Sequence, residues 1–151
     1  TTTDKKNFSL DGQIEDCILL FFSVLKEKNI EVETSLIPAR IKNDPYLIKE
    51  VWVNLISNAV KFTEKGGKIY VSIKRAKGGY EVSVKDSGRG MSEDAQKRVF
   101  DKFYQEDKVY KNKGLGLGLA IVKRILNITQ GEISCKSKLG EGTEFIVFLK
   151  Q

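Results

Sequence analysis

The chain has 151 residues, 40% of them hydrophobic and 30% charged, with a formal net charge of +6; this fits one globular domain with a sizeable core and excludes a disordered chain. The longest apolar run, CILLFFSVL from Cys17 to Leu25, falls well short of the ~20 residues of a membrane span, and the basic residues are spread among 20 acids rather than gathered as in a nucleic-acid binder. With no histidine and two distant cysteines, Cys17 and Cys135, a Cys/His metal cluster is excluded, and structural thiols of a reducing compartment are expected.

In chain order, KNFSL reads as a short strand. Asp11 is expected to cap a helix whose positions Ile14, Cys17, Ile18, Phe21 and Leu25 form one apolar face. IEVETSLI alternates as a strand that Pro38 ends. Asp44-Pro45 is an N-cap followed by proline at the first helical position, and that helix runs to about Phe62. GKIYVSIKRA and GYEVSVKD are alternating strands joined at Lys77-Gly78-Gly79, a hairpin signal. Ser92 caps a short helix in SEDAQKRVF. Residues Asp101 to Gly114 are polar and lack a clear period. A helix from about Gly116 to Gln130 is expected to stop at Gly131. EISCKSKL and TEFIVFLK close the chain around Gly140-Glu141-Gly142. The sum is an α/β two-layer sandwich, a mixed sheet with its helices on one face.

Four stretches invite a chemical reading. The helix from Pro45 pairs its apolar residues (Leu47 and Ile48, Val51 and Trp52, Leu55 and Ile56, Ala59 and Val60) into a stripe that would cover the sheet. Glu50, Asn54, Asn58 and Lys61 share another face. That face reads either as solvated surface or as a site in which neutral amide oxygens complete the shell of Mg²⁺ and Lys61 meets phosphate. VKDSGRGMS ends a strand at Asp86, followed by Gly88 and Gly90. It is either a surface turn, or a carboxylate accepting from a base amino group beside bare backbone. Gly140-Glu141-Gly142-Thr143 is explained by a tight turn alone. Phe100 and Phe103 read as core aromatics. FYQEDKVYKNKG, with Lys102, Lys108, Lys111 and Lys113 in or beside it, reads as a loop or a cationic flap over phosphates. KGLGLGLAIVKRIL sets Gly114, Gly116 and Gly118 before a helical pattern. Such a turn lets backbone N–H groups and the helix dipole meet an anion.

Taken in order, NLISNAVKF, DSGRG, FDKFYQ, GLGLGL and GEGT strongly resemble the N, G1, F, G2 and G3 boxes of the ATP-binding catalytic domain of bacterial sensor histidine kinases. The resemblance covers the chain from about Phe8 to Leu149. It implies the Bergerat fold shared with gyrase, Hsp90 and MutL ATPases: a mixed, mostly antiparallel sheet, three main helices on one face, and a flexible ATP lid over about residues 101–115. Residue by residue, it implies that Asn58 ligates Mg²⁺, with Asn54 one turn before it, and that Lys61 contacts phosphates. Asp86 takes the adenine amino group in a pocket shaped by Gly88 and Gly90, and Thr143 lies at the base-binding end. Gly114, Gly116 and Gly118 form the lid hinge and an anion-binding helix start, with Leu115, Leu117 and Leu119 anchoring the turn. Many relatives have arginine where Gln105 stands, so Lys108, Lys111 and Lys113 are the candidate lid cations for the γ-phosphate.

The resemblance further implies transfer of the ATP γ-phosphoryl group to a histidine. This chain has none, so the acceptor is expected on a helical dimerisation domain of the same full-length homodimeric protein, with a response regulator receiver domain as partner. The chain, starting without Met, is expected to be a fragment lacking its phosphoacceptor and sensor domains. It would be the cytoplasmic domain of a membrane-bound sensor kinase, attached to membrane only through missing parts. Hydrolysing relatives carry a catalytic Glu where Asn54 sits, and an amide takes no proton from water at neutral pH; Glu50 is the substitute base to consider. The alternatives are an anti-sigma-type serine kinase on the same fold and a nucleotide-binding pseudokinase.

Overall fold

The alternating and helical periods of the sequence materialise as a sheet and its cover. The computed structural model describes residues 3–102, 104 and 118–151. Over these the elements run β1 (Lys6–Ser9), α1 (Leu10–Leu19), α2 (Phe22–Glu27), β2 (Glu31–Leu36), β3 (Arg40–Asn43), α3 (Pro45–Phe62), β4 (Lys68–Ala76), β5 (Gly79–Asp86), α4 (Glu93–Arg98), α5 (Gly118–Thr129), β6 (Glu132–Lys138) and β7 (Gly142–Lys150). Five strands form one sheet in the order β2-β4-β5-β7-β6. Only β2 and β4 are parallel; the other pairs are antiparallel, so the sheet is mixed and mostly antiparallel. β1 and β3 pair separately.

Side chains alternate across a strand, so one sheet face can be buried while the other meets water. Ile69, Val71 and Ile73 of β4, Tyr80, Val82 and Val84 of β5, and Phe145, Val147 and Leu149 of β7 are buried. Between them Lys74, Glu81 and Lys85 are exposed. The helices supply the second layer. α3 is central to it, burying Ile48, Val51, Trp52, Leu55, Ile56, Ala59 and Val60. Its start is well specified: the Asp44 side chain accepts from the N–H groups of Tyr46 and Leu47, and Pro45 opens the helix. Trp52 is fully buried, and its indole N–H donates to Gln13 Oε1 at 2.9 Å. Gln13 Nε2 in turn donates to the Pro45 carbonyl at 2.8 Å, tying α1 to the beginning of α3.

Four expectations change. The cap of α1 is Ser9, whose Oγ accepts from Gly12 N, and not Asp11. Asp11 is occupied elsewhere, accepting from Ser9 Oγ and from Ala39 N at 2.9 Å. The single helix through Leu25 is two helices. Leu20 N and Phe21 N donate to Cys17 O and Ile18 O, three residues back rather than four, and this tightening turns the chain before α2. β3 has no counterpart in the sequence reading; four residues, RIKN, are too few for a period to declare itself. α5 ends at Thr129 because Gln130, at φ +62°, takes the left-handed position expected of Gly131. Cys17 and Cys135 are both free thiols, raised to about 11 and about 12 chiefly by burial, and so protonated at neutral pH. Among the described residues no helix is long and apolar enough to cross a membrane.

Candidate functional site

The sheet register brings four residues into one row at one end of the sheet. Ile69 of β4, Asp86 of β5, Thr143 of β7 and Ser137 of β6 stand side by side. The pleat that buries Val84 and Phe145 against the helices therefore also turns Asp86 and Thr143 to that side, where they are only 4% and 8% exposed. A carboxylate in that setting loses its hydration. Burial pushes the Asp86 pKa up to about 6, against the pull of the Gly88 and Thr143 backbone N–H groups. The Gly88 N–H donates to Asp86 Oδ1 at 2.9 Å.

Backbone crowds this end so closely that side chains are excluded. A Cβ on Gly88 would sit 2.4 Å from the Phe62 carbonyl oxygen and 2.9 Å from Asp86 Oδ1. Gly142, at φ +93°, brings its Cα face against the Asp86 carbonyl, where a Cβ would sit 2.0 Å from the oxygen. Gly90 is likewise pressed on the Lys138 carbonyl. The Gly88 contact also has a topological meaning: it joins the loop after Asp86 to the end of α3.

The polar face of α3 belongs to the helix whose end, at Phe62, meets Gly88. Asn54, Asn58 and Lys61 are half-buried, and Glu50 is exposed. Asn54 Nδ2 donates to the Glu50 carbonyl of its own helix at 2.7 Å, which turns Oδ1 toward the start of α5. A Cβ on Gly118 would sit 2.9 Å from that oxygen. The last turns of α3 thus run from the beginning of α5, at Asn54, to the Asp86 loop, at Phe62. Lys61 Nζ stands 5.8 Å over the Phe62 ring. Asn58 has no side-chain hydrogen bond among the described residues. Leu119 packs on the core. Phe103, Gln105, Lys108, Lys111, Lys113, Gly114, Leu115, Gly116 and Leu117, and with them most of the expected lid, lie outside the described residues.

The donor set bears on a metal. No group of three or more His, Cys, Asp or Glu side chains among the described residues could hold an ion. The oxygens on the inner α3 face are neutral amides, which suit a Mg²⁺ ion that brings most of its oxygen shell as phosphate and water. The described residues therefore fit a metal that arrives with phosphate.

Sequence reasoning missed the partners of Thr143. Ser137 Oγ lies 2.8 Å from Thr143 Oγ1, and Gln96 holds the Ser137 backbone. The signal was available: a turn at Gly140 that pairs Lys138 with Gly142 also pairs Ser137 with Thr143.

The family model for histidine kinase-, DNA gyrase B- and HSP90-like ATPases matches residues 43–151. The chain belongs to this family. Sporulation kinase E of Bacillus subtilis is 34% identical over 139 residues, which are 90% of this chain and 18% of that protein. The chain spans 15% of the length of one curated relative and 30% of another. The catalytic domain of histidine kinase ThkA superposes with a TM-score of 0.87 at 26% identity, covering 98% of this chain and 96% of that one. Full-length ShkA in complex with AMPPNP gives a TM-score of 0.86 at 28% identity, over all of this chain and 32% of that one. ThkA has also been solved with the response regulator protein TrrA, at a TM-score of 0.81 and 26% identity over 97% of this chain and 41% of that one. The mostly antiparallel five-stranded sheet and its helices are those of histidine kinase catalytic domains.

Proposed function

We propose that this chain binds Mg-ATP and transfers the γ-phosphoryl group to a histidine on a separate dimerisation domain, in two-component signalling. The observation that carries the reading is Asp86: a buried carboxylate at a strand end, beside bare backbone, in a chain of this family. A carboxylate only accepts, and the adenine amino group only donates. The AMPPNP complex of ShkA and the response regulator complex of ThkA support the ligand and the pathway.

In this reading each residue does limited work. Asp86 selects the base. The Asn58 amide oxygen and the Lys61 ammonium group meet metal and phosphate. The start of α5 at Gly118 offers backbone N–H groups, and Lys108, Lys111 and Lys113 are the candidate lid cations. When bound, Mg²⁺ neutralises phosphate charge, and phosphoryl transfer then depends mainly on positioning. Water is a poor competing acceptor: Asn54 cannot remove a proton, and its amide is committed to Glu50 O. The chain has no histidine, so the acceptor belongs to another domain, which when supplied separately lacks the effective concentration of a covalent link.

The test is radiolabelled ATP with the chain, with a histidine-bearing helical hairpin from the natural protein, and with both. The expected result is slow turnover by the chain alone and acid-labile label on the hairpin only in the mixture, lost when its histidine is replaced. Rapid phosphate release by the chain alone would replace this reading with an ATPase and implicate Glu50. Acid-stable label on a partner's serine would replace it with a serine kinase.

A further inference from the structure

Ser137 and Gln96 have no role in the reading above, yet they organise its base end. Ser137 Oγ accepts from Met91 N at 2.7 Å, lies 2.9 Å from the Gly142 carbonyl oxygen and 2.8 Å from Thr143 Oγ1. A carbonyl cannot donate, and a serine has one hydroxyl proton. Only one arrangement makes all three contacts hydrogen bonds. Ser137 donates to Gly142 O, and Thr143 donates to Ser137 Oγ. Ser137 then uses its proton and both acceptor positions, while the Thr143 oxygen is left with lone pairs only.

Gln96 holds the serine in place. Its side-chain amide pairs with the Ser137 backbone as a neighbouring strand would: Nε2 donates to Ser137 O at 2.9 Å, and Oε1 accepts from Ser137 N at 3.1 Å. β6 is an outer strand of the sheet, so this amide occupies part of its open edge and fastens α4 to it. The same serine receives the Met91 N–H, so the segment after Asp86 is fastened to β6 as well.

We propose that Ser137, braced by Gln96, is a positioning residue for base selection. It fixes the Thr143 hydroxyl so that Asp86 and Thr143, on neighbouring strands, present acceptors only. This rests on the assignment of Asp86 to the base. A pair of acceptors suits a group with two donor hydrogens, such as a purine 6-amino group, and opposes a 6-oxo group. Released from Ser137, the Thr143 hydroxyl can rotate and offer its proton to the oxo group, and the discrimination relaxes.

The test is calorimetric titration of the chain with ATP and with inosine triphosphate, which differs at the 6-position by an oxo group. Unsubstituted protein should prefer ATP. Ser137→Ala should reduce that preference about tenfold, the scale of one mismatched buried polar contact. Ser137→Thr, which keeps the hydroxyl, should restore it. Thr143→Val should reduce the preference while leaving the Ser137 bonds to Met91 and Gly142 in place, and Ser137→Ala should add nothing to it. Equal weakening of both nucleotides by Ser137→Ala would make the serine a brace only and overturn the proposal. If Ser137→Ala does not fold, an unchanged preference in Thr143→Val overturns it instead. Failure of the unsubstituted chain to bind either nucleotide would remove the Asp86 assignment along with it, an outcome distinct from strong discrimination that Ser137→Ala leaves intact.

Discussion

Asp86 and Asn58 are both polar, but their surroundings differ in kind. Asp86 is 4% exposed, hydrogen-bonded by backbone and enclosed by glycines that admit no side chain. Asn58 and Lys61 are half-buried on a helix face. The sheet end is thus rigid and dry, suited to distinguishing one flat base from another. The helix face is wetter, and its groups are long or neutral, suited to phosphate charge shared with a metal and water. Selectivity is expected at the first and charge neutralisation at the second.

The largest effect expected is from breaking the rigid end. Gly142→Ala places a Cβ at φ +93°, against the Asp86 carbonyl oxygen at 2.0 Å. Strain and backbone displacement together should cost ~3–4 kcal/mol. Gly78 is the control: its φ is +82°, but no described atom lies within 4 Å of an added Cβ. Gly78→Ala should cost only ~1 kcal/mol. Urea unfolding of both variants separates the two; equal losses would mean that the sheet end is no more crowded than a hairpin tip.

Asp86→Asn should divide function from stability. An amide can turn a donor toward the ligand, and ATP affinity should fall by ~1–3 kcal/mol, about 5- to 150-fold. The empty protein should become more stable at neutral pH. Its carboxylate is raised from 3.8 to about 6 by burial, so ionisation costs the folded state on the order of 3 kcal/mol. The sign follows from proton counts. Between pH 4 and 6 the folded state holds the proton more tightly than the unfolded state, so the contribution of Asp86 to stability falls as pH rises through that window and stays low above it. ATP binding should run the opposite way, weakening about tenfold per unit as pH drops below 6. Calorimetry and thermal unfolding between pH 5 and 8 check both trends; in Asp86→Asn both should flatten. A stability that rises with pH in the unsubstituted protein and not in the variant would contradict the sign.

The helix face should respond to metal instead. If the Asn58 amide oxygen meets Mg²⁺, Asn58→Ala should weaken ATP binding roughly five- to tenfold in Mg²⁺. The loss should be much smaller in EDTA. Titration under both conditions decides, and an equal loss would assign Asn58 a structural role.

Legibility in the sequence followed the same division. Asp44-Pro45 and the paired apolar residues of α3 announced that helix because cap, proline and 3.6-residue period agree. The hairpin of β4 and β5 was legible from alternation and from Lys77-Gly78. Asp86, Gly88 and Thr143 could be singled out as types, but the contacts that define them are long-range: Gly88 to Phe62, Gly142 to Asp86 and Gln96 to Ser137. No local pattern encodes such contacts. Asp11 failed as a cap because a tertiary partner, Ala39 N, claimed its carboxylate. β3 was invisible because its pairing with β1, not its own four residues, makes it a strand.

The smallest expected effect sharpens the comparison. Gly118 opens α5, and among the described residues an added Cβ would meet the Asn54 side chain, its oxygen nearest at 2.9 Å. That oxygen is at the end of a side chain that can rotate, unlike the backbone carbonyls facing Gly88 and Gly142. Gly118→Ala therefore forces Asn54 to give way, at the cost of its 2.7 Å bond to Glu50 O, while the helix gains from the loss of a glycine. These terms are of similar size and opposite sign, so stability should move by less than ~0.5 kcal/mol. Gly88→Ala, set against Phe62 O at 2.4 Å and Asp86 Oδ1 at 2.9 Å, has no such escape and should lose several times more. Parallel urea titrations of the two variants measure the difference directly. Comparable losses would show that the start of α5 is held as firmly as the sheet end, and the division between a rigid base end and an adaptable phosphate end would fail.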